Sequence, residues 1–141
     1  MIALGKAMQA MAPPGIRVYL LEPEISVPPV PADFPYVFLW GRPGDRLSGD
    51  EQSGSLDDEY SSLLVEVNAT YVGLTPESMD SVMQRCRDAW DRKTVAVPGL
   101  APARLKQSAL QDARADKDAP LTNKRRPVFA VDQFRFIADW L

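Results

Sequence analysis

The sequence contains no histidine and only one cysteine among its 141 residues. Histidine is the commonest general base and transition-metal ligand in proteins, so its absence removes the Ser–His and Cys–His pairs of nucleophilic catalysis. Cys86 alone cannot form an internal disulfide or a cysteine-based zinc site. We therefore expect no enzyme activity, no cofactor and no metal site. A carboxylate pair for glycoside chemistry stays open, because a sequence does not give the separation of two acids in space.

The chain also lacks a long apolar run and a large net charge. No apolar run approaches the roughly 20 residues that cross a bilayer, and residues 1–11 are too short and too interrupted for a signal peptide. The formal charge of −3 does not favour nucleic acid or anionic membrane as a partner. With 45% hydrophobic and 25% charged residues, the composition is that of a globular protein. The length predicts a single domain over residues 1–141.

The most regular stretch is residues 60–93, which predicts a central strand–helix unit. Apolar and polar residues alternate over residues 60–72, the period of a half-buried strand. Gly73 ends this run, and Thr75-Pro76-Glu77 then supplies a hydroxyl cap, a first-turn proline and an early acid for a helix. One apolar stripe recurs at helical spacing: Met79, Val82, Met83, Cys86, Ala89 and Trp90. Because Cys86 lies on that stripe, we expect a buried and unreactive thiol.

The other segments complete an α+β pattern. Within residues 1–12 we expect an N-terminal helix over 2–11, and a stiff proline-rich connection follows the first strand. The apolar run Tyr36–Trp40 predicts a strand covered on both faces, one of which another subunit can supply, with Trp40 as a core anchor. We also expect strands at residues 16–21, 103–111 and 127–140, although the composition of 103–111 permits a helix as well. Residues 94–97 fit either a short strand or the exit of the long helix. The predicted fold is a mostly antiparallel or mixed sheet with the N-terminal helix and one long amphipathic helix packed on it.

Two polar segments carry opposite charge. Residues 42–58 form a long loop rich in Gly, Ser and Asp, and with Glu59 it has two basic and six acidic side chains, a net charge of −4. Residues 104–126 have seven basic and three acidic side chains, a net charge of +4. In a head-to-tail ring the acidic segment of one copy can meet the basic segment of the next. The subunit-interface candidates are therefore Asp50, Glu51, Asp57, Asp58, Glu59, Arg104, Lys106, Lys124, Arg125 and Arg126.

Three stretches carry a family resemblance: Phe34-Pro-Tyr-Val-Phe-Leu-Trp-Gly41, Val65-Glu-Val-Asn-Ala-Thr-Tyr-Val-Gly73 and the helix start at Thr75-Pro76-Glu77. In this order, over roughly residues 16–141, the chain resembles the tail terminator proteins of long-tailed, non-contractile bacteriophages, especially those of actinobacterial hosts. These stretches are fold signatures rather than active-site motifs.

The resemblance implies an α+β subunit of a homo-oligomeric ring, a hexamer, which caps the growing tail tube, stops its polymerisation and forms the surface that joins the head. It implies no catalysis and no cofactor. The implied partners are the major tail tube protein and a head-side connector or head-closure protein, with DNA passing through the lumen without specific binding. The implied location is the neck region of the virion tail, and the host cytoplasm during assembly.

Two other functions stay open. Another neck or head-completion protein of the virion would share the small size, the ring assembly and the lack of catalytic motifs. A small bacterial enzyme or binding domain, monomeric or dimeric, would instead carry a ligand site near the loop at residues 42–58.

Overall fold

The computed structural model of the chain describes residues 2–41 and 62–139. The helices are α1 (Ile2–Ala10) and α2 (Pro76–Trp90). The strands are β1 (Val18–Leu20), β2 (Tyr36–Trp40), β3 (Ser62–Gly73), β4 (Thr94–Val95), β5 (Ala103–Arg104), β6 (Lys106–Ala115) and β7 (Val128–Asp139). No helix in these two ranges is both long and apolar enough to span a membrane. The acidic loop expected at residues 42–58 lies outside the described residues.

The larger sheet has five strands in the order β1-β2-β3-β7-β6, and β4 pairs with β5 separately. β1 and β2 run parallel, whereas the other neighbours in this sheet are antiparallel. β3 and β7 pair along their whole length, from Ser62 opposite Asp139 to Gly73 opposite Val128. With α1 and α2 packed on this mixed sheet, the predicted α+β fold is confirmed.

The junction between β3 and α2 follows the sequence signals. The Thr75 side chain accepts a hydrogen bond from the backbone nitrogen of Ser78 at 3.1 Å, which satisfies one of the free N–H groups at the helix start. Pro76 occupies the first turn. Gly73 is needed for a close approach, because a Cβ atom at this position would lie 2.7 Å from the backbone nitrogen of Met79. Within the stretch 60–93, the strand covers Ser62–Gly73 and the helix Pro76–Trp90.

The core lies between the helices and one face of the sheet. Trp90 is fully buried, and its indole Nε1–H donates to the carbonyl oxygen of Met8 at 2.9 Å. The ring also stands edge-on to Phe134, with 5.4 Å between the ring centroids. One residue thereby connects α1, α2 and β7. Other large core side chains have at most 2% of their surface exposed, among them Leu4, Leu39, Val65, Val67, Tyr71, Met79 and Leu105.

Several strand boundaries and one core residue differ from prediction. β1 and β4 are shorter than residues 16–21 and 94–97. The predicted strand at 103–111 is divided into β5, which pairs with β4, and β6, which continues to Ala115 opposite Val128 because its ladder with β7 extends that far. Trp40 is half-buried and lies outside the core cluster. The side chains of β2 alternate, so Val37 and Leu39 face the helices while Trp40 faces the other side of the sheet.

Candidate interaction site

The sheet face opposite the helices carries a row of aromatic side chains. Tyr36 lies next to Val72 and Phe38 next to Thr70 on β3, and the ladder continues to Phe129 and Val131 on β7. The Tyr36 and Phe38 rings have centroids 6.4 Å apart, and the rings of Phe34 and Tyr36 are 5.5 Å apart. These contacts form a continuous apolar floor across three strands.

Two connections form walls on either side of this floor. The connection between β1 and β2 contributes Pro23, Ile25 and Pro29, and the loop between β6 and β7 contributes Ala119 and Pro120. The cavity between them has a volume of about 590 Å³ and is lined mostly by apolar atoms. We call this cavity the aromatic groove and define it by Phe34, Tyr36, Phe38, Trp40 and Phe129.

The first wall is fixed by a buried carboxylate. Asp33 accepts hydrogen bonds from the backbone nitrogen of Val30 at 2.8 Å and from the backbone nitrogen and hydroxyl of Ser26 at 3.1 and 3.2 Å. These donors, with the bond from Val30 first among them, lower the pKa of the Asp33 carboxyl. The Arg17 guanidinium adds a bond to the carbonyl oxygen of Ala32 at 2.8 Å. A short proline-rich loop is therefore held in one conformation.

The second wall is fixed by an arginine. The Arg126 guanidinium donates to the carbonyl oxygens of Lys117 and Ala119, both at 2.9 Å, and so closes the loop between β6 and β7. Asp116 lies at the groove end of this loop and accepts a hydrogen bond from the backbone nitrogen of Asp118 at 3.1 Å. Asp116 therefore lines the groove, and Arg126 supports the loop between β6 and β7 from outside it.

The polar groups of the groove are few and specific. The Trp40 indole N–H donates to the Thr70 hydroxyl at 2.8 Å. Burial raises the pKa of the Tyr36 hydroxyl, and the negative charge of Asp116 adds to this effect. Asn68 does not line the groove, but it pairs with Trp40 at its edge, and its buried Oδ1 atom has no hydrogen-bond partner among the described residues. The groove therefore suits a largely apolar occupant with few polar contacts.

The predicted interface residues fall into separate places. Lys106 lies opposite Arg135 near one end of the β6–β7 pair, and Arg104 lies in β5 close by. Arg125 and Arg126 lie in the loop at the other end of that pair, where Ala115 meets Val128. The basic candidates Arg104 and Lys106 are therefore not brought together with the basic candidates Lys124, Arg125 and Arg126. The acidic candidates Asp50, Glu51, Asp57, Asp58 and Glu59 lie outside the described residues.

Comparison with known proteins gives no family assignment. No family model matches the chain, and no characterised protein matches it.

A second polar cluster lies on the helix side of the sheet. Asp132 is 1% exposed and accepts two hydrogen bonds from the Arg87 guanidinium, both at 2.7 Å. It also accepts from the Tyr71 hydroxyl at 2.8 Å and from the Gln107 amide at 3.1 Å. Burial is the main reason why the pKa of Tyr71 is raised. This cluster joins β3, α2, β6 and β7, and every polar partner is satisfied, which is the arrangement of a structural network.

Sequence reasoning missed both the groove and the Asp132 network. A signal for the groove existed in Tyr36–Trp40, which has aromatic residues at every second position. The residues that complete the groove come from loops whose position depends on contacts distant in sequence.

Among residues 2–41 and 62–139, no cluster of three or more acidic or cysteine side chains is placed to hold a metal ion.

We expect the Cys86 thiol to be unreactive in the folded protein. Cys86 is fully buried, and burial raises the pKa of its thiol to about 12 from the ordinary value of 9.0. That shift lowers the thiolate fraction roughly a thousandfold, because each pKa unit is a factor of ten. Labelling with a maleimide at about pH 8 should be slow in the native protein and fast in denaturant. Rapid labelling without denaturant would show that α2 does not stay packed on the sheet.

Proposed function

We propose that this chain is a structural subunit of a phage tail terminator ring. In this proposal the ring caps the tail tube, stops its polymerisation and forms the surface that joins the head. The observation that carries it is the two-sided sheet: one face is covered by α1 and α2, and the other presents the aromatic groove. An apolar surface of this kind on a small subunit is typical of a protein–protein contact.

A second feature supports an assembly role. The groove and the end of the β6–β7 pair that carries Arg104 and Lys106 are different surfaces of one subunit. A subunit that contacts the next copy through two different surfaces makes a heterologous contact, and such contacts close into a ring when the rotation permits. The family resemblance of the 34–41 and 65–77 stretches supplies the specific role of tail terminator, and the virion neck as the location.

Deletion of the gene in its phage tests the proposal directly. Loss of a terminator is expected to leave tail tubes longer than those of the parent phage, because nothing stops polymerisation of the tube protein. Negative-stain electron microscopy of lysates measures the tube length. Expression of the protein from a plasmid should restore the parental length. Free tails of normal length would identify a head-closure protein instead and would overturn the terminator assignment.

The groove also favours a second candidate function, binding of a small apolar ligand. Its volume of about 590 Å³ is within the range of roughly 300–1,000 Å³ that is typical of ligand pockets. Tyr36, Gln111 and Asp116 could supply the few polar contacts that orient such a ligand. A protein that stays monomeric, forms no ring with tail tubes and co-purifies with one small molecule per chain would favour this function over assembly.

A further inference from the structure

The connection between β1 and β2 exposes an apolar segment, residues 26–32, which we call the docking segment. Val27 is 95% exposed and Val30 is 44% exposed. Pro28 and Pro31 beside them are also exposed. Single exposed apolar residues are common on protein surfaces, but four within five consecutive positions make a patch.

This patch has a fixed shape before it meets any partner. The Asp33 carboxylate holds both ends of the loop through Ser26 and Val30, and the prolines restrict the backbone between them. A segment that is already ordered loses little conformational entropy on binding, which favours association. The Asp33 bonds to Ser26 and Val30 therefore keep Val27 and Pro28, which lie between those residues, exposed to solvent.

The aromatic groove has the surface that such a segment requires. The segment is bent at residues 27 and 28 and enters a short 3-10 helix at Pro31–Asp33, so it presents a compact apolar tip, and aromatic rings offer such a tip a large apolar contact area. The docking segment cannot place Val27 in the groove of its own chain, because Pro29 from the same segment already forms a wall of that groove. A second copy of the chain can offer its segment without this restriction.

The charges beside the two surfaces are complementary. Arg17 is exposed and bonds to the carbonyl oxygens of Ala32 and Pro35, so its guanidinium lies at one end of the docking segment. Glu24 is exposed and precedes the other end. The groove is lined by Asp116, and its second wall is held by the exposed Arg126. Arg17 beside the segment can therefore pair with Asp116 at a groove, and Glu24 can pair with Arg126.

We propose that the docking segment of one copy inserts into the aromatic groove of a second copy, with Arg17 facing the partner subunit's Asp116. This deepens the proposed function because it names the contact between neighbouring subunits, and only its use in a ring rests on that function. Pro29 lines the groove whereas Val27 is 95% exposed, so the tip of the segment is the part that a second copy can contact.

The first test replaces the exposed apolar tip. Val27→Asp should raise the concentration for half-association, measured by sedimentation velocity on the full chain, by at least about tenfold because it places a charge in an apolar groove. Ala96→Asp is the matched control, since it places the same charge at an exposed apolar residue of another connection, between β4 and β5, outside both surfaces. Equal effects of the two substitutions, or no effect of Val27→Asp, would overturn the proposal.

The second test uses a charge exchange. Arg17→Glu alone and Asp116→Arg alone each place like charges together, so each variant should associate at least about tenfold more weakly than the wild type. An equimolar mixture of the two variants should associate again, because every contact between unlike copies then pairs opposite charges. Circular dichroism melts check that both variants fold. A mixture that associates no better than either variant alone would contradict the proposed contact.

The outcomes separate this proposal from the terminator assignment. If the wild type forms rings that Val27→Asp and the charge variants leave intact, the docking contact is wrong and the terminator assignment stands. If the wild type forms a closed dimer that these variants dissociate, the docking contact stands and the ring does not. If tails stay of normal length in the gene deletion while the charge exchange restores association, only the terminator role fails.

Discussion

Replacement of Arg87 by alanine is expected to lower the free energy of unfolding by about 3–5 kcal/mol, the usual effect of removing one partner of a buried ion pair. The guanidinium makes two bonds of 2.7 Å to Asp132, whose side chain is 1% exposed. Without Arg87 that carboxylate keeps only neutral donors, the hydroxyl of Tyr71 and the amide of Gln107. An uncompensated charge in the interior is the physical reason for the large effect.

The matched control is Arg92→Ala. Arg92 also approaches an acid, Asp91, but the distance is 4.0 Å and the arginine side chain is 86% exposed. Exposed pairs of this kind contribute about 0–1 kcal/mol, so this variant should unfold at nearly the same urea concentration as the wild type. Equilibrium urea denaturation of both variants measures the difference. Similar midpoints for Arg87→Ala and Arg92→Ala would show that the Asp132 network contributes no more than a surface pair.

The Arg87–Asp132 pair also marks the limit of sequence reasoning. Periodicity correctly assigns Arg87 to the polar face of α2. It does not identify its partner Asp132, which lies 45 residues further along the chain. Asp132 interrupts an apolar strand and is a signal for a buried polar site, but only the register of β7 places it beneath α2. Local patterns therefore identify the two elements, whereas the pair between them depends on tertiary contacts.

The fold itself was predictable because its strongest signals are local. The alternation over residues 60–72, the Thr75 cap and the apolar stripe of α2 each follow from a few neighbouring residues. The site was not predictable to the same degree. A sum of charge along residues 104–126 treats them as one surface, but β6 and β7 separate Lys106 from Arg126 by the length of a strand pair.

Replacement of Trp90 by alanine is the second substitution with a large expected effect, a loss of about 3–5 kcal/mol of unfolding free energy. Trp90 is fully buried, and its removal takes away the edge contact with Phe134 and the hydrogen bond to the Met8 carbonyl oxygen. α1 is only 9 residues long and has no stable helical structure without packing. We therefore expect α1 to exchange its amide hydrogens, and to be cleaved by protease, before the sheet unfolds.

Trp90→Phe separates the packing from the hydrogen bond. The Met8 carbonyl oxygen also accepts from the backbone nitrogen of Met11 at 3.0 Å, so it keeps a partner when the indole N–H is lost. The phenyl ring retains much of the apolar contact, and the expected loss is about 1–2 kcal/mol, smaller than for alanine. Hydrogen exchange at α1 then decides between two roles for Trp90. Protection that survives Trp90→Phe but not Trp90→Ala means that packing holds α1 on the sheet, and loss in both variants means that the hydrogen bond does.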